Sequence, residues 1–145
     1  MQTTISASTD LPARLRLVLT RSARRLRQEA DGGLSPSLTS ALSTIDRHGP
    51  LTPSRLAELE RIQRPTATRL VAGLEEKGLV QREADPDDGR VSHVRASAGG
   101  RALLKRMRSR KNAYLAKQLR GLDNDEVETL ERATAILERL LEGGE

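Results

Sequence analysis

Within residues 51–96 the chain switches from the spacing of a helix-turn-helix to what reads as a β-hairpin with an acidic and basic tip, in LTPSRLAELERIQRPTATRLVAGLEEKGLVQREADPDDGRVSHVRA. Few folds accommodate that switch in so short a segment. Thr52 is a natural N-cap and Pro53 suits the first helical position, which predicts a short helix over 53–60. Leu56, Ala57 and Leu59 share its inner face, and Ala57 is small enough to let a second helix approach closely. A turn falls at Arg61 and Ile62. The next helix begins at Gln63, turns Ala67, Leu70, Val71 and Leu74 to the core, and ends at Gly78. Residues 79–84 then read as a strand, DPDDG at 85–89 as a dense cluster of turn formers, and 90–96 as the return strand. Two closely spaced helices followed by a charged hairpin make a winged helix-turn-helix.

The flanks are helical. Up to Thr9 the chain reads as a polar arm. A helix is expected from Asp10, whose carboxylate can accept the first amides, with Leu11, Leu15, Val18, Ser22 and Leu26 as its stripe and Asp31, Gly32 and Gly33 at its end. Ser35-Pro36 opens another helix with Leu38, Leu42 and Ile45 inward, stopped by Gly49-Pro50. Ser97 caps a long helix through about Arg120, ended by Gly121, with Leu103, Leu104, Met107, Tyr114, Leu115 and Leu119 as its apolar positions. Asp123 and Glu126 form a capping box before Val127, Leu130, Thr134, Leu137 and Leu141. The central segment already has a small core of its own. The outer stripes are therefore left over, and the commonest partner for such faces is a second copy of the chain. The expected class is mainly α with a small β-wing. Residues 1–34 form an arm and dimerisation helix, 35–97 the winged helix-turn-helix, and 98–145 the C-terminal dimerisation helices.

Composition narrows the function. Twenty-five Lys and Arg against 20 Asp and Glu give a formal charge of +5 on 145 residues, a balance that favours polyanionic partners. With no Cys, disulfides, thiol redox sensing and Cys-containing zinc sites are excluded, and two His make a dedicated metal site improbable. No signal peptide and no membrane-spanning run is visible, so a cytoplasmic location is expected. His48 and His93 stand in unrelated contexts without a nucleophile, phosphate loop or ligand cluster, which argues against an enzyme. His48 reads as a helix-end partner and His93, in a wing strand, as a surface residue, with approach to a phosphate as its alternative.

A winged helix-turn-helix presents the N-terminal half of its second helix to base edges. Here that surface holds Gln63, Arg64, Thr66, Thr68 and Arg69. Arg64 or Arg69 could grip guanine with two hydrogen bonds, worth roughly 1–3 kcal/mol of discrimination, while Thr66 and Thr68 suit phosphates or a thymine methyl. Thr52, Ser54 and Arg55, at the start of the first helix, join the DNA-binding candidates. At the hairpin tip Arg90 suits a narrow minor groove, and Asp88 is placed to pair with it and orient it.

These residues resemble the MarR (multiple antibiotic resistance regulator) transcription factors. The resemblance rests on Leu56-Ala57-Glu58-Leu59, RPTATRLV at 64–71, LEEKGLV at 74–80 and the wing DPDDGR at 85–90. It implies a homodimer with interleaved terminal helices and recognition helices in successive major grooves of a pseudo-palindromic operator. A repressor is the implied role, and many relatives release DNA when a small aromatic or phenolic molecule binds between the dimerisation and DNA-binding regions. Three positions depart from the pattern. Arg61 stands where Gly is frequent, at a strain of roughly 1–2 kcal/mol if left-handed. Gln63 replaces a capping Ser, and Gly73 interrupts the recognition helix. The absence of Cys excludes the thiol-oxidation mechanism of one branch. With Tyr114 as the sole aromatic residue, any effector pocket would rely on aliphatic groups and Arg, which suits an aromatic carboxylate better than a large apolar drug. A nonspecific architectural nucleic-acid-binding protein, or a winged module that contacts protein, are the alternatives.

Overall fold

The computed structural model describes residues 10–144, so the N-terminal arm expected up to Thr9 lies outside the described residues. The chain runs α1 (Leu11–Glu29), α2 (Pro36–His48), α3 (Pro53–Glu60), α4 (Arg64–Glu76), β1 (Val80–Ala84), β2 (Ser92–Ala96), α5 (Ala98–Leu119) and α6 (Asn124–Glu142). The two strands pair antiparallel, Val80 with Ala96 through Ala84 with Ser92. Leu51 adds a bridge to Val94, exchanging hydrogen bonds of 3.0 and 2.7 Å, so the root of the hairpin is stitched to the entry of α3.

Local chemistry sets most boundaries. The side chains of Ser35, Thr52, Ser97 and Asp123 each accept a backbone N–H of the first turn that follows, and Asp123 with Glu126 completes a reciprocal capping box. Asp10 does not behave as expected. Its backbone is already near-helical at φ −99° and ψ −9°, its side chain makes no cap hydrogen bond, and Pro12 relieves the first turn of one donor instead. The return strand starts at Ser92 rather than Arg90, because the Asp85 N–H donates to the Val91 carbonyl and keeps the intervening residues in the loop.

The core gathers between α2, α3, α4, the strands and the first turns of α5. Leu42, Ile45, Leu56, Val71, Leu74 and Val94 are its largest fully buried side chains, each contributing about 1.5–3 kcal/mol by removal from water. Gly100 lets α5 lie against the chain entering β1: a Cβ there would collide with the Leu79 carbonyl oxygen. The Ser97 hydroxyl closes the joint, donating to the Gly78 carbonyl at 2.7 Å and accepting from the Gly100 N–H at 3.0 Å. Neither α1 nor α6 contains a buried residue.

Candidate nucleic-acid interface

Helix α3 is anchored at both ends. The Thr52 hydroxyl accepts the Arg55 N–H at 3.1 Å, which commits Thr52 to capping. At the other end the two Glu60 carboxylate oxygens take separate hydroxyls from α2: Ser40 donates at 2.6 Å and Thr44 to the second oxygen. Ser54 is half-buried, and the exposed Arg55 guanidinium pairs with Glu58 at 2.9 Å. The helix closes when Arg61 enters the left-handed region at φ 55°, with the Ile62 N–H donating to the Ala57 carbonyl and the Arg61 N–H to that of Glu58. This is the Schellman pattern, with arginine in the position glycine usually holds.

Helix α4 then presents its outer face. Ala67, Val71 and Leu74 are buried while Gln63, Arg64, Thr68 and Arg69 are exposed and Thr66 is half-buried. Arg64 and Arg69 form no ion pair among the described residues. They stand five residues apart, about 7.5 Å along the axis, which is about two base-pair steps. Gln63 occupies the N-cap position without a side-chain cap bond, leaving its carboxamide uncommitted to the helix. The Thr68 hydroxyl donates back to the Arg64 carbonyl at 3.1 Å, so its methyl and lone pairs, not its proton, are offered outward. Gly78, at φ 71°, closes α4 with the same Schellman bonds, and Arg82 of β1 pairs with Glu75 at 2.7 Å, bracing the wing against α4.

In the wing, Arg90 stands at the tip with its side chain 96% exposed. Asp88 accepts the Arg90 backbone N–H at 3.0 Å, whereas the guanidinium stays 3.9 Å from the carboxylate. Asp88 thus sets the backbone at the tip and leaves the cation extended.

Sequence reasoning missed the residue that organises this loop. One Asp85 oxygen accepts the amides of Asp87 at 2.8 Å and Asp88 at 3.2 Å, and the other meets His93 Nε2 at 2.8 Å. His93, read as an ordinary surface residue, is half-buried and bonded. An Asp two residues before a turn amide is a legible signal. The His93 contact follows only from hairpin register. The His93 hydrogen bond, then the two backbone amides, hold the Asp85 carboxyl below its ordinary 3.8, against desolvation. For a lowered carboxyl the stabilisation is complete above the unfolded pKa and is lost as pH falls through the folded value, so the carboxylate side of this tie opens only in acid.

A cavity of about 610 Å³ lies between α1, α2 and α5, lined by Arg24, Arg27, Leu34, Thr39, Met107 and Lys111 among others, with no aromatic side chain. Tyr114 stands elsewhere, with the Arg25 guanidinium 5.7 Å from its ring centroid. Among the described residues there is no cluster of three or more potential metal ligands and no helix long and apolar enough to cross a membrane.

The MarR family model matches residues 34–92, from the loop before α2 to the start of the return strand. A helix-turn-helix-type transcriptional regulator of Mycobacterium leprae is 34% identical over 95% of this chain and 97% of its own. The chain belongs to the MarR family. Among solved structures, a transcriptional regulator from Pseudomonas aeruginosa is 35% identical with a TM-score of 0.84, over 94% of this chain and 96% of that one. A MepR variant of S. aureus, bound to an oligodeoxyribonucleotide, shares the fold at a TM-score of 0.72 and 20% identity, over 90% of this chain and 97% of that one. This MarR-family protein is therefore a DNA-binding transcriptional regulator with a winged helix-turn-helix, and its family is one of regulators rather than enzymes.

Proposed function

We propose that the protein is a sequence-specific repressor acting in the cytoplasm as a homodimer on a pseudo-palindromic operator. The observation that carries this reading is the outer face of α4, where Arg64 and Arg69 stand exposed and without ion pairs among the described residues while the opposite face is locked into the core. In this reading Arg64 and Arg69 read guanine edges, Gln63 and Thr66 supply further base or phosphate contacts, and Thr68 offers its methyl to thymine. Ser54 and Arg55 meet phosphates beside the groove, Thr52 acts by holding their helix, and Arg90, its backbone set by Asp88, enters the flanking minor groove.

The dimer assignment draws on the outer helices. Among the described residues all ten exposed large hydrophobics, from Leu11 to Leu141, lie on α1, the last turns of α5, and α6. Charge adds direction: α6 carries six acidic residues and two Arg, while α1 carries six Arg and one Glu. An acidic, apolar-striped helix fits a basic, apolar-striped one from a second copy. Two recognition helices then address half-sites about one helical turn, roughly 34–36 Å, apart. The division at residues 34/35 and 97/98 belongs to this proposal, with Leu104 of α5 reaching into the central core.

Release by a small aromatic or phenolic effector is supported by the cavity beside α2, whose cations Arg24, Arg27 and Lys111 suit the carboxylate of an aromatic acid. Bound there, such an acid would press on the helix that holds Glu60 and thereby α3. Calorimetry with benzoate, and with the Arg24→Ala variant, tests this: binding that persists unchanged in the variant would remove the cavity from the reading.

The decisive experiment is selection of bound genomic fragments, followed by salt-controlled competition between the recovered site and random duplex. Specific readout predicts at least about a thousandfold preference, lost in Arg64→Ala/Arg69→Ala. Equal affinity for both duplexes would instead establish the architectural alternative.

A further inference from the structure

We propose that His93 is a positioning residue for DNA binding, acting through Asp85 to fix the loop that presents Arg90. The inference rests on the reading of Arg90 as the wing contact, and it concerns a residue whose side chain meets Asp85 rather than Arg90 itself.

The geometry is a relay of short bonds from strand to tip. His93 sits on β2 opposite Glu83, one residue from the end of β1. Its Nε2 lies 2.8 Å from an Asp85 oxygen, and both side chains are largely covered, at 30% and 26% exposure, in an otherwise exposed loop. The other Asp85 oxygen accepts the Asp87 and Asp88 amides. Asp88 in turn accepts the Arg90 amide, and its carbonyl accepts the Val91 N–H at 3.0 Å. The five residues between Asp85 and Val91 contain Gly89 and no buried side chain. Hydrogen bonds, not packing, therefore hold them.

Orientation of the Asp85 carboxylate is the controlling variable. One rotamer lets one oxygen accept two amides while the other meets β2 at His93, and His93 is the side chain that selects it. The nearby charges are engaged elsewhere: Glu83 pairs with Arg95 at 2.9 Å and Arg82 with Glu75. Neither competes for Asp85. With the carboxylate ionised, Nε2 carries the proton and donates. Removing His93 leaves the loop closed only part of the time, and Arg90 then loses the pre-organisation that lets it enter a groove without an ordering cost.

The test combines operator affinity, measured by fluorescence anisotropy at fixed salt, with amide exchange in the wing. His93→Ala is expected to weaken binding roughly three- to tenfold, about one hydrogen bond to a charged group discounted for exposure, and to speed exchange at Asp87 and Asp88. His93→Gln, whose terminal amide reaches about as far as Nε2, is expected to restore both. Because His93 acts through Arg90, the double variant with Arg90→Ala should bind no worse than Arg90→Ala alone. An unchanged thermal midpoint in His93→Ala shows that the lobe is folded. The proposal is overturned if His93→Ala binds like wild type while Arg90→Ala is impaired, or if His93→Gln fails to rescue. Multiplying losses, with the salt slope reduced by about one, would make His93 a direct phosphate contact and overturn it as well. If Arg90→Ala alone is harmless, the wing reading fails and His93's positioning role with it. The exchange data then still report on the Asp85 tie separately.

Discussion

The apolar residues of the central lobe and those of the terminal helices obey the same helical periodicity, yet their fates differ. No exposed large hydrophobic lies between α1 and the last turns of α5, whereas α6 leaves Leu140 at 64% and Leu141 at 82% exposure. The central lobe closes on itself because α2, α3, α4 and the hairpin surround one core. Helix α1 is regular without a side-chain cap and α6 carries a full capping box, but neither contains a buried residue. Regular local structure and a covered face are separate achievements. The first is written into caps and spacing, while the second needs a partner of complementary shape and charge.

The comparison breaks if the terminal helices prove self-sufficient. Leu130→Glu/Leu141→Glu places two charges on the α6 stripe, and sedimentation is expected to fall from twice the 15.9 kDa chain mass to the chain mass itself. A species that stays at the same mass would remove α6 from the interface. In the central lobe the expected effect is on folding instead. Leu42→Ala empties a fully buried site and should cost about 2–5 kcal/mol in denaturant unfolding. A loss below about 1 kcal/mol would mean that this core is not close-packed. Gly100→Ala sharpens the same contrast at the seam between lobe and long helix. Its methyl meets backbone at Leu79 rather than a movable side chain, and a cost of roughly 1–3 kcal/mol is expected, with loss of DNA affinity as the α5 joint shifts. Tolerance of the methyl would place flexibility at that joint.

What could be read in the residues follows the same division. The bounds of α3 and four side-chain caps were visible because each depends on groups within a few residues. The exposed Arg64 and Arg69 were visible because a buried face at helical spacing determines its opposite. Glu60 was not, since its hydroxyl partners Ser40 and Thr44 stand on another helix, 20 and 16 residues away. Nor was His93, whose partner Asp85 is eight residues distant and meets it only in one strand register. Asp10 failed in the other direction. It has the right chemistry for a cap, but its backbone is near-helical, where the carboxylate does not cap the first turn. Side-chain chemistry was legible where the backbone had one local solution, and illegible where two elements had to meet first.

The smallest expected effect tests that lesson within the lobe itself. Helices α3 and α4 end in the same pair of Schellman bonds, one closed by Arg61 at φ 55° and the other by Gly78 at φ 71°. An L-residue side chain in that region costs roughly 1–2 kcal/mol, while glycine gives back roughly 0.5–1 kcal/mol through the entropy of the unfolded chain. Arg61→Gly should therefore stabilise the protein by about 0.5–1 kcal/mol, read as a rise of about 2–4 °C in Tm. Gly78→Ala should lose about the same amount at the sister site. A stabilised Arg61→Gly variant with full operator affinity would show that Arg61 is tolerated only because the core on either side of the turn dictates its backbone. If Arg61→Gly instead gains stability and loses affinity, the strain is retained for what the Arg61 side chain does in binding. If it gains nothing, Arg61 makes compensating interactions in solution, and the two helix ends are not equivalent despite their shared hydrogen bonds.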